Sequence, residues 1–123
     1  MTLQLPLDID RVRGFLSAAE GELLYRAARE APGTAPALEI GSYCGRSTVY
    51  LGLGCRRAGR ALLAVDHHRG SEEHQPGELF HDPALVDTQG RFDTLPGFRD
   101  TLRAAALEDT VVAVLATSSQ FAA

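Results

Sequence analysis

The sequence predicts an α/β protein of parallel strands joined by helices, and three observations carry that prediction. Short apolar runs at Ala37–Ile40, Ala61–Val65 and Val111–Leu115 have the length and composition of buried strands. Between them, apolar residues fall at helical spacing, from about Gly45 to Arg57 and from about Asp93 onward. The first run ends in a glycine turn, Gly41 to Gly45, that opens directly into a helical pattern. Strand, helix and strand in this order and length make a right-handed βαβ unit. Such a turn lies at the carboxyl end of the sheet, where ligands bind.

The elements follow in order. Residues Met1 to Asp8 look like a loose lead-in. Ile9, Val12, Phe15 and Leu16 then recur at helical spacing and predict a first helix. Ser17 and Glu20 have the form of a capping box, so a second helix starts near Ala18, with Leu23, Leu24, Ala27 and Ala28 on its buried stripe. It should end by Ala31-Pro32-Gly33. These helices are expected to cover the sheet or the ligand cleft. The helix after the glycine turn carries Val49, Leu51, Leu53 and Cys55, closes on Arg56 and Arg57, and stops near Gly59. The continuous apolar run Ala61–Val65 suits a parallel strand covered on both faces and terminates in Asp66. From His67 to Asp93 the chain is polar and rich in Gly, Pro, His and acids, and a loop of that length is usually functional or mobile. A further helix has Phe98, Leu102, Ala105 and Ala106 as its buried stripe, and Gln120 to Ala123 form the first turn of another.

Composition bounds the function. With 123 residues, 45% hydrophobic and 23% charged, the chain is expected to be one soluble domain, residues 1–123. Residues 1–34 would form an N-terminal helical cover and 35–123 the βαβ core. The longest apolar stretches fall far short of a membrane span. The start MTLQLPLDID has no basic n-region, so no signal peptide is expected and a cytoplasmic location is the default. A net charge of −4 argues against a nucleic-acid partner. All 12 basic residues are arginine, which removes Schiff-base, P-loop and general-base lysine chemistry. Cys44 and Cys55 have no metal-type spacing, and a cytosolic disulfide is not expected.

The glycine turn suits a small, partly anionic ligand, because the helix N-terminus behind it offers unpaired N–H groups and a positive dipole end. A dinucleotide fingerprint would need a second glycine where Tyr43 stands, and a P-loop would need a lysine where Arg46 stands. His67, His68, His74 and His81, among Glu72, Glu73, Glu78 and Asp82, match no zinc signature. A solvated, substrate-facing loop is expected there, with no metal. Cys44 adjoins a helix N-terminus, which can lower a thiol pKa, but without a placed base a nucleophilic role is disfavoured.

The segment LEIGSYCGRSTVYLG resembles motif I of the class I SAM-dependent methyltransferases, and VDHHRGSEE resembles the acidic end of their second strand. The order of elements is similar along nearly the whole chain. The resemblance implies S-adenosyl-L-methionine as cofactor, with Glu39 on the methionyl ammonium, directly or through water. Gly41, Ser42 and Tyr43 would form the loop, and Gly45 and Ser47 the helix start facing the methionyl carboxylate. Asp66 would take the ribose hydroxyls, His67 or His68 would flank the ribose or adenine, and Thr117 and Ser118 would lie near the adenine amino group. The family's Gly-Asp-Ser there is Ala116-Thr117-Ser118 in this chain. His67 and His68 are also candidates for a general base at the transferred methyl.

The implied fold is a Rossmann-like three-layer αβα sandwich, partial, with three parallel strands of a seven-stranded sheet. In the family's strand order the run Ala37–Ile40 would then be an open edge, so the chain is expected to be truncated, completed by a partner, a second copy among them, or to stand alone with that edge covered by the N-terminal helices. The implied activity is methyl transfer to the oxygen or nitrogen of a small molecule, with little catalysis expected from this chain alone. A catalytically inactive Rossmann-like binding or oligomerisation module is the alternative, and an NAD-binding fragment a weaker one.

Overall fold

A computed structural model describes residues 3–79 and 81–123. Met1 and Thr2 of the expected lead-in, and Phe80 of the expected long loop, lie outside the described residues. A single 3-10 turn at Ile9–Arg11 precedes α1 (Ala18–Glu30), β1 (Ala37–Ile40), α2 (Arg46–Ala58) and β2 (Leu62–Val65). Single 3-10 turns at Glu72–His74 and Pro83–Leu85 punctuate the long loop, and α3 (Leu95–Ala104), β3 (Val111–Val114) and α4 (Ser118–Ala122) follow. The strands form one parallel sheet in the order β1-β2-β3, with Ala37 beside Leu62 and Leu62 beside Val111. No helix among the described residues is long and apolar enough to cross a membrane.

The core lies between one face of the sheet and the helices. Leu62, Ala64 and Val111 meet Val49 and Cys55 of α2, Phe98, Leu102 and Ala105 of the α3 segment, and Leu107. The opposite face is only partly covered. Leu38, Ile40 and Val112 are each about half exposed, at 52%, 54% and 49%. The α/β class holds, as part of a Rossmann-like sandwich, and β2 is covered on both faces as expected except at the partly exposed Leu63, whereas β1 and β3 each leave one face half exposed. Among the described residues β1 pairs with β2 alone, so its other edge is open.

Four local expectations change. The helix predicted over Ile9 to Leu16 is a single 3-10 turn followed by an irregular segment. Gly14 at φ +150° breaks any helical run, and Arg46 takes the carbonyls of Ile9 and Val12 that such a helix would use internally, together with that of Leu16. Residues before it are not loose, since Leu5, Leu7 and Ile9 pack against the core. On α1, Leu23 is exposed and Gly21 and Ala28 are buried instead. Past α3, Ala106 is exposed, in a left-handed conformation that ends the helix.

The capping box at Ser17 and Glu20 forms as the sequence predicts. It sets α1 against α2, and small residues let the two helices come close. A Cβ at Gly54 would lie 2.4 Å from the Tyr25 carbonyl oxygen, and one at Gly21 would lie 2.4 Å from the Tyr50 ring. A side chain can swing aside, but the backbone carbonyl cannot. Gly54→Ala is therefore expected to destabilise the fold by about 1–3 kcal/mol, against a helix-propensity gain of about 1 kcal/mol. A thermal midpoint that stays level or rises in the variant contradicts this packing.

Candidate functional site

All three strands point their carboxyl ends the same way, and the segments that follow them surround one cavity of about 500 Å³. The loop after β1 contributes Gly41, Ser42 and Tyr43, the first turn of α2 contributes Arg46 and Ser47, and β2 contributes Asp66 and His67 at its end. Beyond β3 lie Thr117 and Ser118. Of the residues proposed from sequence, only Glu39, Gly45 and His68 do not line it.

The loop is built around the Asp66 carboxylate. One of its oxygens accepts from the Tyr43 backbone N–H and the other from that of His68, each at 2.8 Å. Tyr43 and His68 both hold left-handed backbones, at φ +52° and +64°. That conformation costs a non-glycine residue roughly 1–2 kcal/mol, so the two charge-assisted bonds offset strain that the turn requires. Asp66 keeps lone pairs directed at the cavity, because a carboxylate has about four acceptor positions. Its sequence assignment as a ligand acceptor is compatible with a structural duty it also performs.

Glu39 sits beneath the loop. It is buried, and its oxygens accept from the Ser47 and Thr48 hydroxyls at 2.6 and 2.5 Å. Burial pushes its pKa above the usual 4.5, against the pull of those hydroxyls, and the nearby Asp66 charge adds to the rise. Its visible work is to fix the first turn of α2. Gly45 caps that turn with φ +94° and no side-chain cap bond, leaving the N-terminal N–H groups of α2 facing outward. A Cβ on Gly45 would press on Thr101 and Phe98 at 3.1 to 3.3 Å. Ser42 is buried within the cavity wall, and its hydroxyl has no hydrogen-bond partner of regular geometry, although it lies near enough to Glu39 to favour the ionised carboxylate.

The two histidine candidates separate. His68 turns away from the cavity into the core, with Nδ1 2.6 Å from the Thr94 hydroxyl and its ring tilted over Phe98. Burial holds its pKa below 6.5, partly offset by Asp66 and Asp93. It is a structural group. His67 stays at the cavity and is exposed, with Nδ1 accepting from the Arg69 N–H, which leaves the other ring nitrogen to donate when the ring is neutral. That polarity does not suit a base acting through the outer nitrogen. Cys44 is inert, because burial pushes its thiol up to about 11 and outweighs the helix terminus beside it.

Sequence reasoning missed one wall. Gly14, Phe15 and Leu16 close the cavity from the N-terminal side, and His74 closes it from the long loop, stacked between Tyr43 and Phe92 at 5.6 and 5.4 Å between ring centres. The only local signal was the glycine before Phe15, which interrupts a run otherwise read as helical.

The raised pKa of Glu39 gives a pH test. Its ionised form is disfavoured in the folded state, so the wild type loses stability as the pH rises through the folded pKa and keeps it below 4.5. Glu39→Gln retains an acceptor for a hydroxyl but no charge. Its thermal midpoint relative to the wild type is expected to climb between pH 4 and pH 8 (~4–8, bracketing the carboxylate range). A constant difference across that range would show that burial does not penalise Glu39.

The family model "Methyltransferase domain" matches residues 38–123, which includes every cavity-lining segment from Ile40 onward. A solved structure, "Crystal structure of cofactor-bound Rv0187 from MTB", is similar in fold, with a TM-score of 0.53 and 20% identity over 83% of this chain. The chain spans 35% of the length of that neighbour. The extent of the family match decides the assignment: the chain belongs to the methyltransferase-domain family.

Proposed function

We propose that this chain is the cofactor-binding part of a cytoplasmic S-adenosyl-L-methionine-dependent methyltransferase acting on the oxygen or nitrogen of a small molecule. The observation that carries it is the pairing, in one cavity, of the buried, unpartnered Ser42 hydroxyl with the uncapped N-terminus of α2. A built cavity that leaves a buried hydroxyl unsatisfied expects a polar ligand there. At Gly41, φ is +83° and no atom lies within 4 Å of where a Cβ would stand, so the backbone there faces open space. A volume of about 500 Å³ is in the range of small-molecule and cofactor sites.

The residues present fit such a cofactor. The α2 N–H groups and Ser42 would hold the methionyl carboxylate, where dipole and donors both favour an anion. Ser47, fixed by Glu39, lies at the same end. Asp66 would accept from the ribose hydroxyls through its remaining lone pairs. Thr117 and Ser118 lie at the far side, although the Thr117 hydroxyl already accepts from the Gln120 N–H. When bound, the cofactor supplies an activated methyl group on a sulfonium. This chain's own residues would bind and orient it; His68 is turned away from the cavity and the Nδ1 of His67 accepts from the Arg69 N–H, so the geometry of neither favours the base role expected of them. The half-exposed sheet face and open β1 edge favour, as a second reading, a module that binds the cofactor or a further copy of itself without catalysis.

Calorimetric titration with S-adenosylhomocysteine tests the binding that both readings share. Saturable 1:1 heat is expected, with none from NAD. Ser42→Ala is expected to change the thermal midpoint little, since its hydroxyl makes no hydrogen bond of regular geometry in the protein. Losing one hydrogen bond to the ligand, about 1.4 kcal/mol, should weaken binding about tenfold. Absent heat from folded wild type at millimolar ligand would end the proposal. Equal affinity in the variant would remove Ser42 from the site.

A further inference from the structure

Arg46 is the residue that joins the cavity to the N-terminal segment. Its side chain is 16% exposed and lies along that segment. Nε donates to the Leu16 carbonyl at 2.8 Å, and one terminal nitrogen donates to the carbonyls of Ile9 and Val12 at 2.7 and 3.1 Å. The other terminal nitrogen stands 3.6 Å from the Asp10 carboxylate. Gly14 rests directly on the arginine stem, where a Cβ would come within 3.1 Å of its Cδ. Beyond the single 3-10 turn at Ile9–Arg11, the segment is thus folded over one side chain. Among its described residues no helix longer than one turn holds it.

That segment is also the boundary between two spaces. Gly14, Phe15, Tyr43 and Arg46 line both the central cavity and a shallower outer cleft that continues past Asp82. Phe15 stands at the shared mouth with 85% of its surface exposed. On the cleft side, Arg13 Nε contacts Asp82 at 2.7 Å, a second tie to the long loop. Val12 is the apolar anchor, buried with Cys44, Leu85 and Phe92.

Resting on the cofactor reading above, we propose that Arg46 is a positioning residue: it holds residues 9–16 as a strap across the cavity, so that ligand binding and strap order are thermodynamically linked. The fork geometry is what the role needs. A guanidinium presents five donors in a fixed plane and can serve three carbonyls and a carboxylate together, whereas an ammonium is a point charge with three donors. A ligand that fills the cavity touches Gly14, Phe15 and Leu16 in the closed arrangement alone, and so favours that arrangement by its differential contact. By reciprocity, loosening the strap weakens the ligand.

Limited trypsin digestion with and without saturating S-adenosylhomocysteine, read by mass spectrometry, tests this in the wild type. Cleavage after Arg11 and Arg13 is expected to slow at least tenfold, and by more than cleavage after Arg103 on α3. Slowing that is equal at all three sites is general stabilisation and overturns the strap. In Arg46→Met, with a retained fold by circular dichroism, affinity for S-adenosylhomocysteine should fall about tenfold and the protection at Arg11 and Arg13 should disappear. Arg46→Lys should behave like the methionine variant, and rescue by lysine would assign the effect to charge alone and overturn the fork. Arg60→Met is the comparison, because Arg60 likewise clamps the carbonyls of Ala31, Gly33 and Ala35 but lies away from the cavity. It should lower the thermal midpoint and leave affinity unchanged. Ligand heat in the wild type with unaltered digestion overturns the strap and leaves the cofactor reading standing, whereas no ligand heat overturns both.

Discussion

The site depends on one carboxylate. Asp66, at the end of β2, accepts from two backbone N–H groups that belong to different segments, Tyr43 in the loop after β1 and His68 in the loop after its own strand. Both donors sit in left-handed residues that are not glycine. Without an anion between them, two strained turns would converge with their N–H groups unpaired, and an unpaired buried donor costs about 1–3 kcal/mol. The arrangement explains why Tyr43 can stand where a dinucleotide loop would need glycine. Strain that glycine avoids is here compensated by charge.

The consequences spread outward from that pair of turns. With Tyr43 fixed, its ring stacks on His74, which stacks on Phe92, so part of the long loop is packed against the cavity. With His68 fixed, its imidazole enters the core between Thr94 and Phe98 and joins the same loop to the start of α3. The His68 pKa is held below 6.5, so the neutral ring is the form that folding selects and this join weakens as the pH falls below that value. A stretch of sequence that is polar and rich in histidine therefore acts as an ordered wall. Its 3-10 turns and the Val86–Phe92 bridge take up the backbone groups that a mobile loop would leave to water.

What was legible in the sequence was whatever local chemistry decides. The Ser17 and Glu20 box, the apolar runs of the three strands and the glycine turn with its following helix are short-range signals, and the elements lie within a residue or two of where those signals put them. Asp66 was legible as the acid that ends a strand, but not as the carboxylate that holds the Tyr43 and His68 N–H groups. The N-terminal segment was not. Ile9, Val12, Phe15 and Leu16 satisfy a helical period, yet the partner that decides their backbone, Arg46, lies 30 or more residues away in sequence. Periodicity reports which side chains could share a face and says nothing of which distant donor will claim a carbonyl. The same limit applied to Glu39, whose motif position suggests a ligand contact and whose two oxygens are engaged by Ser47 and Thr48.

The absence of lysine, informative at first only for the chemistries it removes, acquires a structural meaning in Arg46 and Arg60. Each guanidinium collects three backbone carbonyls from a segment that holds at most a single 3-10 turn of its own. A carbonyl accepts but cannot donate, so a cluster of them needs a donor-rich group with fixed geometry. Arg60 spends that capacity on the connection between α1 and β1, far from any ligand. Arg46 spends it on the wall of the cavity, next to the N-terminus of α2 and beside Ser47, which Glu39 fixes from below. The motif that places the loop and helix therefore also reaches, through one side chain, the part of the chain that precedes it. A site assembled from only the glycine turn and Asp66 would be open on that side, and the guanidinium closes it without contributing a reacting group.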